Sequence, residues 1–288
     1  IMKNLNLFIE LTRLKKPIGF MLLFWPCTWG LTLAYNFSND LDNYFFYIIL
    51  FFLGSVLMRS AGCIVNDILD KDFDKKVLRT KDRPIAAEKI SIKIGLVYVA
   101  CLCFLALLVL LNFNNFTIIL ALGSMPLAFT YPLMKRYTYW PQFFLGITFN
   151  YGLILGWVCI KDQINITPII LYLGAIFWTL GFDTIYGYQD IKDDEIIGIK
   201  STSIKFKKNP KIFLTLCYFL FIISLILIGI LMKFNIAFYF FMTIPVLSLF
   251  YYQIYNFKIN NPENNLKIFK SNNFLGFFVL INILIGKI

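Results

Sequence analysis

The acidic residues of this chain are few and gathered. Eleven of its 16 Asp and Glu residues fall in two stretches: Asp67, Asp70, Asp72, Asp74, Asp82 and Glu88, then Asp183, Asp190, Asp193, Asp194 and Glu195. The first reads Asn66-Asp67-Ile68-Leu69-Asp70-Lys71-Asp72-Phe73-Asp74. Wound as a helix, it puts Asn66, Asp67, Asp70 and Asp74 within an arc of about 100°, while Asp72 points elsewhere. Carboxylates so spaced repel one another, so something positive is expected between them. In the second stretch Asp183, Asp190 and Asp194 share a stripe about 40° wide, and Asp183 lies about 10 Å deeper than Asp190. Gly187 falls on that stripe and is expected to leave room for a ligand. Magnesium takes hard oxygen ligands, commonly one or two carboxylates with water and phosphate oxygens. Two facing carboxylate stripes therefore suit a diphosphate bridged by Mg²⁺. A solvated acidic helix end balanced by Lys and Arg is the plainer alternative for either cluster alone; two matched clusters on one side favour the ligand.

Basic residues stand close to both. Arg79, Lys81 and Arg83, followed by Pro84, lie just past the first stripe, and Tyr131, Lys135 and Arg136 close a later apolar run. Cations around a diphosphate stabilise it as a leaving group; anchoring at a membrane surface is the competing role for any one of them. Arg59 is different, because it lies inside an apolar run, seven residues before Asn66. An Arg within a bilayer costs at least about 2.5 kcal/mol, so it must face a cavity or a partner. Asp183 has the same expected depth. The two form either an ion pair or a polar pocket beneath the diphosphate, where an aromatic acid could set its carboxylate against Arg59. The chain has no histidine, which removes the commonest general base and transition-metal ligand. No P-loop or Ser/His/Asp set is present, the six cysteines have no metal-ligand spacing, and the Gly152–Gly156 step reads as helix packing.

These residues need elements to hold them, and the composition says which. The 288 residues are 59% hydrophobic and 15% charged, with mean hydropathy +0.72; soluble domains sit near 45–50% apolar and about 25% charged. Nine apolar stretches approach the roughly 20 residues that span a bilayer: 18–35, 44–65, 92–112, 115–131, 141–159, 167–187, 211–232, 236–255 and 272–287. The basic residues concentrate in the N-terminal arm and in the links after spans two, four, six and eight. That pattern predicts a cytoplasmic N-terminus and cytoplasmic acid clusters, with the C-terminus outside. It also accounts for the net charge of +11 by cytoplasm and anionic lipid, without nucleic acid. The stretch 2–16 lacks the order of a signal peptide and the length of a transit peptide, so no leader is expected there. Each acid cluster ends the second helix of a four-helix group. The expected architecture is all-α and polytopic: two four-helix halves plus a ninth helix around a central cavity, in a single domain over 1–288. A cation transporter would also use intramembrane acids, but nearer the bilayer midplane, where only Asp183 lies.

The chain resembles the UbiA superfamily of intramembrane prenyltransferases. The resemblance is carried by Arg13-Leu14-Lys15-Lys16-Pro17, Met58 to Cys63, Asn66 to Asp74, Arg79-Thr80-Lys81-Asp82-Arg83-Pro84, Tyr131 to Arg136, Asp183 to Asp194 and Gly198 to Thr202. It implies Mg²⁺ dependence and a polyprenyl diphosphate donor. The Arg59 segment and the Asp183 context resemble most the branch that prenylates 4-hydroxybenzoate for ubiquinone; the haem O, menaquinone and chlorophyll branches are the neighbouring alternatives. By resemblance Asn66, Asp70, Asp74, Asp190 and Asp194 hold Mg²⁺–diphosphate; Asp67, on the same first stripe, is a further candidate metal ligand. Tyr131, Lys135 and Arg136, with Arg79 and Arg83, contact diphosphate, and Arg59 and Asp183 line the aromatic site, Asp183 as a candidate base. A bacterial inner membrane is expected, with no obligate protein partner. Two positions depart from the family pattern: Tyr188, where relatives often carry His, and Glu88, where Gly is common.

Overall fold

The computed structural model describes residues 2–38 and 40–288, with side chains from Leu5 onward. Every regular element among the described residues is helical. Eight helices are long and apolar enough to cross a membrane, and a 17-residue apolar helix precedes them. In chain order they are α1 (Ile18–Ala34), α2 (Leu41–Leu69), α3 (Ile92–Leu110), α4 (Asn115–Tyr137), α5 (Pro141–Lys161), α6 (Ile166–Gly187), α7 (Pro210–Leu231), α8 (Ile236–Ile254) and α9 (Pro262–Lys287). The protein is a multi-pass membrane protein.

Polar caps start most of these helices. Asp40, Ser91, Asn114, Asn165, Asn235 and Asn261 each accept a backbone N–H of the first turn, satisfying donors that the helix leaves unpaired. Asn114, which accepts from Thr117 at 2.8 Å, makes the tight α3–α4 hairpin. Lipid-facing sides stay apolar: Val97, Phe104 and Ile119 are well exposed.

Close packing of α1 on α5 forms the centre. A Cβ on Gly156 would lie 2.2 Å from the Cys27 carbonyl oxygen, so the backbones meet there because position 156 has no side chain. Such close approach through small residues holds membrane helices together where lipid supplies no hydrophobic drive. The pairing of α2 with α3 is matched by that of α6 with α7, and α9 closes on α1 and α6. The expected half-repeat is visible in that correspondence. Lower in the bundle a buried polar chain locks α6, α7, α8 and α9. Trp178 Nε1 donates to Asn272 Oδ1 at 2.8 Å, and Tyr218 donates to Gln253 Oε1 at 2.7 Å. Gln253 Nε2 joins the two by donating to Asn272 at 3.1 Å. Gln253 sits in a π-helical turn, Leu247–Ile254, which aims it inward.

Neither acid motif continues its helix without interruption. The α2 helix stops at Leu69; Asp70 takes φ −97°, ψ 6°, and a single turn, Lys71–Asp74, follows. The α6 helix stops at Gly187; Asp190 takes φ −118°, ψ 11°, and Ile191–Ile196 follows. One straight helical wheel therefore does not describe either stripe. The break has a common form: Asp74 N donates to Asp70 O at 2.8 Å, and Asp194 N donates to Asp190 O at 2.9 Å.

Candidate active site

The two helix breaks face each other across the bundle, and a basic side chain ties them. Arg79, from the link after α2, sends Nε to both carboxylate oxygens of Asp190 at 2.8 and 2.9 Å, with Nη2 also on Asp190. Its guanidinium lies over the Tyr186 ring, 5.9 Å from the centroid. The first motif is bound to cations at every acid of its stripe. Arg83 Nη1 spans Asp67 at 3.2 Å and Asp74 at 2.8 Å, the positive charge expected between these carboxylates. Lys135 Nζ reaches Asp70 Oδ2 at 2.5 Å, and Arg136 donates to the Leu69 carbonyl at 2.6 Å while resting over Phe73. Asp72 is exposed and apart from this group, as its place on the wheel predicts.

Arg13 is the member that spacing alone did not select. Its Nη2 lies 2.5 Å from Asp67 Oδ1, so Asp67, 2% exposed, is shared by two arginines. Arg13 holds a left-handed φ of 55°, which turns the chain from Met2–Thr12 into α1 and delivers the guanidinium to the acids. In the sequence it stands only as the first residue of the Arg13–Pro17 stretch that carries the resemblance, with no role assigned to it. The loop after the second motif is equally involved. Lys200 N donates to Lys135 O at 2.9 Å and Thr202 N to Gln142 Oε1 at 3.0 Å. Thr184 and Thr202 hydroxyls bond at 2.6 Å. The residues that end α6 are thus fastened to those that present Lys135.

Several expectations change. The gap at Gly187 is filled by protein: a Cβ there would meet Ser203 Oγ at 2.4 Å, so the glycine admits the 201–203 loop. Arg59 and Asp183 make no ion pair within 4 Å among the described residues. Arg59 instead lies over the Phe149 ring at 5.3 Å and against Gly19, beside Tyr131, whose ring meets Phe149 edge-on. Arg59 is thus packed among aromatic side chains and Gly19. Glu88 adopts φ 57°, a conformation glycine takes without strain; here its carboxylate is held by Lys75 at 2.8 Å and Lys71 at 3.3 Å.

No three acidic side chains among the described residues converge tightly enough to hold an ion by themselves. The donors nevertheless suit magnesium, which needs only one or two carboxylates when phosphate and water supply the rest. Asp70 Oδ1 is buried without a hydrogen-bond partner, with Arg136 Nη2 3.9 Å away, and Asp194 feels the charge of Asp190 and has no cation within 4 Å among the described residues. Burial, reinforced by the Asp190 charge, pushes the Asp194 carboxyl up to about 6. Both are places where a divalent cation would relieve an electrostatic cost.

The sequence pattern of the UbiA prenyltransferase family matches residues 23–281. The chain belongs to the UbiA prenyltransferase family. Among curated members, the mitochondrial 4-hydroxybenzoate polyprenyltransferase of Bos taurus is 42% identical over 287 residues, covering 99% of this chain and 76% of that one. The family fold is also shared with solved structures. A UbiA homolog from Aeropyrum pernix K1 superposes with TM-score 0.77 at 20% identity, covering 94% of this chain and 98% of its own. A UbiA homolog from Archaeoglobus fulgidus, solved bound to GPP and Mg²⁺, gives TM-score 0.70 at 18% identity over 97% and 98% of the two chains.

Proposed function

We propose that this chain transfers a polyprenyl group from polyprenyl diphosphate to the ring of 4-hydroxybenzoate, releasing diphosphate and forming 3-polyprenyl-4-hydroxybenzoate. The observation that carries the reading is Arg79 on Asp190, which draws both acid motifs into one site. The substrate assignment draws on the Bos taurus relative, which bears that activity in its name.

Asn66, Asp70, Asp74, Asp190 and Asp194 are the proposed magnesium residues, with Asp67 fixing Arg13 and Arg83 beside them. Bound there, the metal supplies positive charge to the diphosphate oxygens. Arg79, Arg83, Lys135 and Arg136 stand ready to pass from carboxylate to phosphate, and Tyr131 completes the frame. As the bond between the prenyl C1 and the diphosphate oxygen breaks, these prepositioned cations stabilise the charge that gathers on the leaving group. The electron pair leaves with diphosphate and an allylic cation remains. Phe149 and Tyr131 offer ring faces to it and exclude water. Arg59 binds the carboxylate of the aromatic acid and sets the ring carbon next to the hydroxyl against the prenyl C1. That carbon forms the new bond, and Asp183 accepts the ring proton.

The compartment belongs to the same proposal. The basic loops and the site mouth face the cytoplasm of a bacterial inner membrane, by the positive-inside pattern; a mitochondrial membrane, the compartment in the relative's name, is the other outcome. The test is a membrane assay with Mg²⁺, a long polyprenyl diphosphate and 4-hydroxybenzoate. The expected product is the 3-polyprenyl acid, with Asp70→Ala lowering turnover about 100-fold or more. No product from the wild-type chain would remove the acceptor assignment. Full activity in Asp70→Ala would remove the metal-site assignment.

A further inference from the structure

A second cavity lies away from the acids, on the side of the bundle where the acid motifs open. It has a volume of about 510 Å³ and sits between the start of α7 and the segment after α8. Lys208, Lys211 and Lys258 line it, over an apolar floor that includes Ile212, Phe257 and Ile259. None of the three lysines has an acidic partner within 4 Å among the described residues, although neighbouring Lys207 is paired with Glu195. Lys211 Nζ donates to the Tyr255 carbonyl at 3.3 Å, next to the cavity. Three unpaired ammonium groups around one concavity repel each other, so the cavity is complementary to an anion.

The surroundings say what kind. Below the lysines, α7 shows the outward stripe Ile212, Leu216 and Phe219, which are 70%, 55% and 54% exposed. These residues recur at i, i+4 and i+7, so they run in line down one helix face. Next to the cavity, the end of α8 and the residue after it carry exposed Tyr251 and Tyr255, stacked with ring centroids 5.7 Å apart. Exposed tyrosines mark the headgroup level of a bilayer. A cationic cup at headgroup level, opening onto an apolar track toward the hydrocarbon, matches an amphiphile with an anionic head. A soluble phosphate would use the cup and leave the track unexplained.

We propose that the α7–α8 cavity binds the phosphate head of an anionic membrane phospholipid, with its acyl chain along Ile212, Leu216 and Phe219. The site shares no residue with the prenyl-transfer site and is independent of that assignment. Basic pockets between membrane helices on this side are suited to such heads, and each lysine near the surface contributes a comparable electrostatic increment.

The test uses the full chain in nanodiscs of phosphatidylcholine with increasing phosphatidylglycerol. Tightly retained lipid is read by native mass spectrometry and the unfolding midpoint by thermal melt. Phosphatidylglycerol is expected to be retained and to raise the midpoint. The variant K208Q/K211Q/K258Q is expected to need about tenfold or more phosphatidylglycerol for the same retention. The variant K267Q/K270Q, which neutralises lysines outside the cavity, is expected to behave as wild type. Leu216→Asn is expected to weaken retention with the charges intact. Equal retention of the two lipids, or a triple variant that retains phosphatidylglycerol as wild type does, would overturn the proposal. Inorganic phosphate in pure phosphatidylcholine nanodiscs reproducing the full stabilisation would also overturn it and give the cavity to a soluble anion.

Discussion

Asp194 and Arg59 illustrate opposite costs borne by single residues. A carboxyl raised to about 6 keeps its proton longer in the folded chain than in the unfolded one, where its pKa is about 3.9. Its contribution to stability is therefore present at low pH and lost as pH rises through about 6. In metal-free protein Asp194→Asn is expected to melt above wild type at neutral pH, and the two are expected to converge only below about pH 4, the unfolded pKa. Added Mg²⁺ and substrate should reverse the order, because only the carboxylate can ligate. A melt difference independent of pH would show that the gain comes from elsewhere. For Arg59 the expected signature is kinetic. A charged hydrogen bond to the aromatic carboxylate contributes about 1.5–3 kcal/mol, so Arg59→Ala should raise KM for 4-hydroxybenzoate by roughly 10- to 100-fold. A change confined to the polyprenyl diphosphate would place Arg59 in the upper part of the site instead.

The helices themselves were legible from composition and caps, whereas the ends that carry chemistry were less so. Apolar runs located each span, and the described helices begin and end near the expected positions, with α9 reaching back to Pro262. A straight wheel failed at Asp70 and Asp190 because the breaks are local: a four-residue and a six-residue helix follow them, too short to leave a periodic pattern. It still grouped Asp67 and Asp74, which the structure joins through Arg83. Which cation sits on which acid depends on residues 9 to 111 positions apart, and no helical spacing encodes that. Gly187 shows the same limit. The wheel placed it on the acidic stripe, but what fills its space is Ser203, whose Oγ donates to Thr184 O at 2.7 Å. Gly187→Ala should crowd that hydroxyl, loosen the loop that holds Lys200 and Thr202, and lower turnover. Combining it with Ser203→Ala removes the clashing atom and should recover much of the activity. A double variant as poor as Gly187→Ala alone would return the glycine to the role of leaving room for substrate.

Across the whole molecule, the half-repeat places Asp70 and Asp190 in equivalent breaks, but their neighbours differ. The first motif is neutralised by Arg13, Arg83 and Lys135; in the second, the ion pair on Asp190 among the described residues is Arg79, reaching over from the first half. Arg79 therefore joins the halves and masks one proposed ligand at once. Its side chain is 41% exposed, so the ion pair should contribute only about 0–1 kcal/mol to stability. Its larger effect is expected in catalysis, where release of Asp190 and capture of diphosphate are one exchange. A double-mutant cycle separates the two roles. Arg79→Ala and Asp190→Ala should each lower turnover, with the double variant well short of the product of the two losses, since both disable the same exchange. The reversed pair, Arg79→Asp with Asp190→Arg, restores attraction between the halves. It should recover the melting midpoint and stay inactive, because the second motif then offers an arginine where a metal needs oxygen. Turnover in the reversed pair would show that Asp190 serves as the fastening between halves and that the second motif's ligand is Asp194 alone.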